Sequence, residues 1–545
     1  MSYHFSFRLR RIGQIALSLG LAIAFLFSTA VHSGGQAPSQ SAPAESRGRI
    51  LLVLPFDNRS GQPSLEWIRE AAPELLGSRF ASAGFAPMSR ADRLYALDHL
   101  GLPQGFQPSR ASSLKLAQTL DADSIVVGDF LTEGSAVVVE ARIVDVPHMR
   151  MSEPVTARGE LRDLIAVFDS LAWKLTRQLD PGFSVAQETF VAAGADLRLN
   201  AFEQYIRGIT EPDQGERLRH LQQAVKLSPD FGAAWMAMGR EDYNGQQYEQ
   251  AAVAFAKVGN NTSDALEAGF YRGLALMFSG EYANAEIAFA SVARILPLAE
   301  VLSNEGVAIS RQGHDGSALF RQAIATDTSA ADYHFNLAVS LKRHGNGPDA
   351  AAELAQCLKM RPNDSEAQAL QAAWKQPATT TNPAAANSDP LERIERNFNA
   401  VAFRQAAVMM DQMEASRLAT LSPEQRAQTL SNQAKDYLAR GLLLEAERLY
   451  QSAVVADNRA EDAHAGLAKV RERTGDSAGA RKEAQAALEL KPSPDAYLVL
   501  ARLDLAASHF DDANREASEA LKLNPNSQPA QDLMRQLAAR QAQPK

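Results

Sequence analysis

The sequence predicts a mostly α-helical protein with two solenoid arrays of helix pairs, preceded by a small α/β domain. Small and aromatic residues recur at intervals of about 34 residues over more than half of the chain. Short apolar, β-branched runs alternate with helical patterns only before about residue 190. Two stretches that lack large apolar side chains, 32–48 and 377–390, indicate a tether and a linker between these regions.

The first 31 residues have the layout of an export segment. Arginines at positions 8, 10 and 11 precede the apolar run 15–27, and small residues follow it. This order is typical of a secretory signal peptide that is cleaved after translocation. Residues 12–31 are also just long enough to span the inner membrane as an uncleaved anchor. Both interpretations export the rest of the chain to the periplasm, because the arginines stay on the cytoplasmic side.

The region 49–190 predicts one sheet covered by helices. Gly134, in the string TEGS, allows the positive φ of a tight hairpin turn between two β-branched runs. The expected strands are 50–56, 85–88, 124–130 and 136–144, and the expected helices are 65–80, 111–120 and 161–179.

Two strings in this region carry a family resemblance. VLPFDNRSG (53–61) resembles the opening of the TolB N-terminal-like and FlgO-like domains of exported bacterial proteins. DADSIVVGD (121–129) is similar to a later strand of the same domains. The resemblance covers about residues 48–180 and implies an α/β domain that serves in envelope assemblies and regulation, not in catalysis.

From about residue 200 onward, one small residue marks each repeat. A large residue follows it four positions later in the clearest repeats, as at Phe255, Phe289 and Tyr450, and a proline follows twelve positions later in four repeats. This pattern resembles the tetratricopeptide repeat family. The resemblance implies antiparallel helix pairs that approach closely at the small residues and stack into a superhelix. The small residues are Ala251, Ala285, Ala350, Ala446, Ala480 and Ala513.

The repeats divide into two arrays, 200–376 and 391–545, on either side of the linker 377–390. Residues 364–375 and 527–540 are expected to be capping helices, and 391–424 is expected to be a helical segment that caps the second array. The good repeats are 232–263, 266–297, 331–362, 427–459, 461–493 and 494–526, and the degenerate ones are 201–230 and 299–330.

Composition and motifs argue against several classes of function. The net charge of −9 argues against nucleic-acid binding, which needs a concentrated basic surface. Cys357 is the single cysteine, so an internal disulfide and a thiolate metal cluster are excluded. Ser112 and Lys115 have the SxxK spacing of serine acyl-transfer enzymes, but the partner motifs SDN and KTG are absent. We therefore expect no enzyme, no metal and no cofactor.

The resemblance also implies that the first helices of successive repeats line a concave groove that binds peptides. Cationic groove positions on a chain of negative net charge predict a site for an acidic segment or a C-terminal carboxylate. The alternative is that these are solvated side chains whose stems cover apolar neighbours. The cationic candidates are Lys342 and Arg343 in the first array and Lys435, Lys469, Arg473 and Arg502 in the second, and the neighbouring Asn432 is expected to add a hydrogen-bond donor.

Other groove positions of the first array are apolar. They predict either a partner site or a surface that packs against the α/β domain. These positions are Met236, Tyr243, Phe270, Leu274, Met277 and Phe278.

The favoured hypothesis is a non-enzymatic scaffold of the cell envelope that binds other proteins through its concave grooves. One alternative is a sensor whose α/β domain binds a small molecule while the arrays relay the signal. The other is an enzyme with a cryptic site in the α/β domain, where Ser112 and Lys115 are the only candidates.

Overall fold

The computed structural model describes residues 50–103, 109–194, 197–259, 264–375 and 391–541. The export segment, the tether and the linker 377–390 lie outside the described residues. Within the described part, no helix is both long enough and apolar enough to cross a bilayer. The chain forms two compact units, one of Gly269–Phe398 and one that joins Ser46–Ala268 to Asn399–Lys545.

The α/β domain contains one mixed sheet. Strand β1 (Ile50–Val53) lies between β3 (Ala86–Pro87) and β4 (Ser124–Glu133) and is parallel to both, and the short β2 (Asp57–Asn58) is also parallel to β4. Strand β5 (Ala136–Asp145) runs antiparallel to β4, β6 (Arg150–Met151) and β7 (Val155–Glu160). The β4–β5 hairpin turns at Gly134, whose φ of 64° confirms the prediction for TEGS.

Helices cover both faces of the sheet. The apolar sides of α1 (Ile68–Ser82) and α4 (Leu164–Leu179) share one core with β4 and β5. The other face is covered by α2 (Arg90–His99) and α3 (Arg110–Thr119), and α5 (Gln187–Ala192) follows α4. The sequence did not predict α2, β6 or β7, because α2 has few apolar positions and the two strands are short or polar on one side.

The described residues from 199 onward form a tandem series of helices, which confirms the predicted fold class. Residues 391–399 are an exception, because they have no regular secondary structure where the sequence predicted a helix from 391. In chain order the helices are α6 (Leu199–Thr210), α7 (Gln214–Leu227), α8 (Gly232–Asn244), α9 (Tyr248–Ala256), α10 (Ala265–Phe278), α11 (Tyr282–Ala293), α12 (Ala299–Arg311), α13 (Ser317–Thr326), α14 (Ala331–Arg343), α15 (Gly347–Met360), α16 (Ser365–Lys375), α17 (Ala400–Ala419), α18 (Pro423–Ala439), α19 (Leu443–Ala456), α20 (Glu461–Thr474), α21 (Ser477–Leu490), α22 (Pro494–Ala506), α23 (Phe510–Leu523) and α24 (Gln528–Gln541).

Close contacts between a glycine and an aromatic ring hold the helix pairs of the first array together. A Cβ atom added to Gly273 of α10 would lie 2.6 Å from the ring of Phe289 in α11. The same holds for Gly306 of α12, where the distance to the ring of Phe320 would be 2.8 Å. Since no side chain stands between them, the ring of the second helix packs directly on the backbone of the first.

The second array is joined to the α/β domain within one unit. Leu444 of α19 belongs to the same apolar core as the sheet and α4. Around it, the carboxylate of Glu447 accepts a hydrogen bond from the backbone N–H of Ala186 at 3.2 Å, and Arg448 donates to the carbonyl of Ser82 at 2.9 Å. These contacts link residues more than 250 positions apart, so a periodic pattern in the sequence does not indicate them.

The glycine contacts lead to a test of the packing. We expect Gly273→Val to lower the local stability of α10 and α11 by about 1–3 kcal/mol, because the added carbons overlap the buried ring of Phe289. Amide hydrogen exchange of the two helices measures this change. Gly347→Ala is the matched control, since its new Cβ would meet only the flexible end of Lys342 at 3.9 Å. Equal exchange in the two variants would contradict this account of the repeat.

Candidate functional site

Residues 391–398, LERIERNF, lie in the groove of the first array and are called the docked segment here. The segment belongs to the compact unit Gly269–Phe398 and contacts helices α10, α12 and α14 and the start of α16. It has no helix or strand of its own. The groove is defined as the surface of the first array that contacts the docked segment.

Two asparagines hold the backbone of the docked segment and are called the asparagine clamps. Asn336 of α14 accepts from the N–H of Arg393 at 2.6 Å and donates to the carbonyl of the same residue at 2.8 Å. Asn304 of α12 does the same with Glu395, at 2.9 and 2.8 Å. Both asparagine side chains are fully buried. Because the groove uses these backbone groups, the segment cannot form a helix while it is docked.

Glu392 enters a pocket formed by Ser310, Arg311 and Arg343, which is called the arginine pocket. Its carboxylate is fully buried and accepts hydrogen bonds from the Ser310 hydroxyl and from Arg343. Arg311 lies 3.5 Å from the second carboxylate oxygen and also donates to the carbonyl of Glu392 at 3.1 Å. A buried carboxylate needs this compensation, since an unpaired charge out of water is strongly unfavourable.

The next residue, Arg393, enters a site of opposite charge, which is called the acidic cage. Its guanidinium lies 3.8 Å from the ring centre of Phe335 and donates to Asp332 at 2.7 Å. It also forms a bidentate ion pair with Asp364, with hydrogen bonds of 2.7 and 2.8 Å, and donates to Glu366 at 2.8 Å. The planar fork of arginine fits such an arrangement, and a lysine could not reproduce it.

The ion pairs of the acidic cage shift the pKa values of its groups. The hydrogen bond from Arg393 lowers the pKa of Asp364. Burial alone would raise the pKa of Asp332, but its hydrogen bonds with Arg361 and Arg393 outweigh burial and lower it. Burial likewise opposes the charged form of Arg393, yet the three carboxylates raise its pKa. Asp332, Asp364 and Arg393 are therefore held in their charged forms at neutral pH.

Aromatic contacts hold the C-terminal end of the docked segment. The guanidinium of Arg396 lies 4.8 Å from the ring centre of Phe278. The ring of Phe398 packs against Phe270 at 5.7 Å and Tyr271 at 6.4 Å between ring centres. Beside the middle of the segment a small cavity of about 220 Å³ remains, next to Ile394 and Tyr333.

The predicted apolar groove positions therefore have two roles. Phe270 and Phe278 contact the docked segment of the same chain. Leu274 and Met277 are buried within their own unit, and Met236 is buried within the other.

The two cationic candidates of the first array lie side by side but do different things. Arg343 binds the carboxylate of Glu392, a residue of the same chain. Lys342 is exposed, and its ammonium lies 5.5 Å from the ring centre of Trp374 in α16.

In the second array, carboxylates of the array itself pair with two of the candidate cations. Lys469 forms an ion pair with Asp495, and Arg502 forms one with Glu472. Of the other candidates, Arg473 donates to the carbonyl of Leu438 at 3.3 Å, Asn432 accepts from Gln428 at 3.3 Å, and Lys435 is exposed. A groove for an acidic segment in this array stays a prediction.

Sequence reasoning missed the asparagine clamps, although a signal was present. Asn304 and Asn336 each stand two positions before the small residue of the first helix, Gly306 and Ala338. The candidate Asn432 has the same position relative to Ala434. This shared position is the signal that the sequence offered for the clamps.

Both residues of the SxxK string, Ser112 and Lys115, lie on α3. Ser112 donates its hydroxyl hydrogen to the carbonyl of Ser109 at 3.1 Å, within the first turn of α3, and Lys115 is exposed. In the part of the chain that the structure describes, no three His, Cys, Asp or Glu side chains are placed to hold a metal ion.

Comparison with known proteins supports the repeat assignment in the second array. Residues 431–496 match the family model described as Tetratricopeptide repeat, which covers α19, α20 and α21 and the adjoining ends of their neighbours. A search of the curated proteins finds no match.

Several solved structures are similar to this chain. MamA 41-end from Desulfovibrio magneticus RS-1 is 20% identical, with 31% of this chain and 99% of that chain covered and a TM-score of 0.28. YrrB, described as a TPR protein with an unusual peptide-binding site, is 14% identical, with 37% and 99% covered and a TM-score of 0.29. The first TPR of Spaghetti (RPAP3), bound to the HSP90 peptide SRMEEVD, is 22% identical, with 22% and 96% covered and a TM-score of 0.21.

The acidic cage leads to a mutational prediction. We expect Arg393→Gln to release the docked segment, because the hydrogen bonds of a charged group, each contributing about 1.5–3 kcal/mol, are lost and the cage carboxylates repel one another. Amide exchange at positions 393 and 395 reports release directly, since both backbone N–H groups donate to the clamps. The control Arg396→Gln removes an exposed arginine of the same segment and should weaken docking by no more than about 1 kcal/mol. Similar exchange in both variants would contradict the role of the cage.

The lowered pKa values give docking a defined pH dependence. A carboxyl whose pKa is lowered on docking stabilises the docked state above its ordinary pKa, and this stabilisation is lost as the pH falls through the lowered value. We therefore expect docking to be constant from about pH 5 to 8 and to weaken below about pH 4, the ordinary range of aspartate. Amide exchange at Arg393 and Glu395 measures the stability of the docked state, after correction for the pH dependence of the intrinsic exchange rate. Asp364→Asn should reduce this dependence, and loss of docking near pH 6 would contradict the assignment.

Proposed function

We propose that this chain is a non-enzymatic scaffold of the bacterial cell envelope, and that it binds segments of partner proteins in the groove of its first array. The observation that carries the proposal is the docked segment itself. Its backbone is held by the asparagine clamps and its side chains by two charged pockets, which together are the contacts that recognition of a peptide requires.

The clamps and the charged pockets of the groove have different roles, and together they suit the binding of protein segments. The clamps hold N–H and carbonyl groups that every residue except proline offers, so they provide affinity with little dependence on sequence. The arginine pocket and the acidic cage add selectivity through buried charges, which reject a segment with the wrong sign. The tetratricopeptide match at residues 431–496 adds a second array of a fold that typically mediates protein–protein interactions.

The envelope location rests on the sequence. The basic and apolar layout of residues 8–27 supports export, with residues 12–31 as a signal peptide or an inner-membrane anchor. The resemblance of residues 48–180 to TolB-like and FlgO-like domains supports the same location. In this proposal the α/β domain and the second array act as one body, because Leu444 and Glu447 join them.

A photo-crosslinking experiment in the intact bacterium tests the proposal. A photoreactive residue replaces Lys342, which is exposed beside Arg343 at the end of α14. We expect crosslinks from this position to other proteins of the envelope fraction. The control position is Ile287, which is 66% exposed on α11, the second helix of its pair in the same unit. The same crosslinked proteins from both positions, or partners from the cytoplasm alone, would reject the proposed function.

A further inference from the structure

The groove is occupied by a part of the same chain, and this has a consequence for its partners. We propose that the groove selects a partner segment in which an acidic residue directly precedes an arginine, and that residues 391–398 are an internal competitor which this partner displaces. The proposal rests on the proposed function and specifies the chemistry and control of the same site.

The order of the two charges is fixed by the groove. The clamp at Asn336 holds the backbone of Arg393 from both sides, so it sets which residue faces which pocket. Glu392 then meets two arginines, and Arg393 meets three carboxylates. A segment with the reverse order would place a carboxylate among carboxylates and a guanidinium among guanidiniums. Such like-charge contacts in a buried site are strongly unfavourable.

The depth of the two pockets makes this order a strong requirement. The Glu392 side chain has no exposed surface, and the Arg393 side chain is only 18% exposed. Water and salt therefore screen these charges much less than they screen exposed pairs. By contrast, Arg396 and Asn397 are exposed, so these positions constrain a partner less.

The docked segment competes with a partner segment because it belongs to the same chain as the groove. A segment joined to its site through a short linker reaches it at an effective concentration on the order of millimolar. A separate peptide with the same sequence must displace it, so its apparent affinity is reduced by the fraction of chains whose groove is open. A natural partner overcomes this by additional contacts or by acting on the chain that follows Phe398.

Fluorescence anisotropy with a labelled peptide tests the inference on the full chain. The probe is DPLERIERNFNA, the sequence of residues 389–400. In the opened variant, Glu392→Lys with Arg393→Glu, the docked segment carries its charges in reverse order. We expect the probe to bind this variant at least tenfold more tightly than the unaltered chain.

Two controls make the result specific. A probe with its Glu-Arg pair reversed should bind the opened variant at least tenfold more weakly than the original probe. Addition of Asn304→Ala and Asn336→Ala to the opened variant should abolish binding of the original probe, because both clamps are lost. Circular dichroism and amide exchange of α12 and α14 establish that each variant is folded, and Arg393→Gln offers a milder opened form.

The outcomes are distinct. Equal affinity of the opened and unaltered chains overturns the internal competitor, and equal affinity for the two probes overturns the required order of charges. A dimer that forms with rising concentration and is lost in the opened variant would show that a second copy is the occupant, which overturns the assignment to a different protein.

The crosslinking test separates this inference from the proposed function. If the Lys342 position gives envelope crosslinks while the probe fails to bind, only this inference fails. If the probe binds but no partner is crosslinked, the proposed function is rejected.

Discussion

The close approach of helices at small residues is the constraint on which the groove depends. At Gly273 and Gly306 the backbone of a first helix lies against the buried ring of the second helix, at Phe289 and Phe320. A larger residue at either glycine would separate the helices of its pair. Because the contact recurs in consecutive repeats, the first helices present equivalent positions at a regular spacing. The asparagine clamps need such a spacing, since they bind residues two positions apart on one segment.

Burial of charge in the groove provides selectivity more than stability. Removal of a carboxylate and a guanidinium from water is unfavourable, and their ion pairs with the arginine pocket and the acidic cage offset much of this loss. The net gain is therefore modest, but a segment that lacks either charge leaves buried groups unpaired. This difference suits the proposed exchange of the docked segment for a partner segment. A purely apolar groove would hold many segments with similar affinity.

The repeat period was sufficient to predict the helix pairs, and Gly134 was sufficient to predict the hairpin, because both features depend on residues close in sequence. The docked segment is different. LERIERNF is rich in good helix formers, and the sequence therefore predicted a helix there. Asn304 and Asn336 lie 91 and 57 positions before the residues that they hold, and their hydrogen bonds to the backbone overrule local preference. Asn432 carried part of the information needed to predict the clamps, since it has the same position in its repeat as Asn304 and Asn336.

The place of the docked segment in the chain gives its release a mechanical consequence. The segment ends at Phe398, where one compact unit ends and the other resumes at Asn399. While it is docked, residues 391–398 belong to the first array, and the chain enters α17 directly at Ala400. Release frees residues 391–398 from the first array, and an extended chain of this length spans roughly 25–30 Å. A partner in the groove therefore adds this length of free chain before α17.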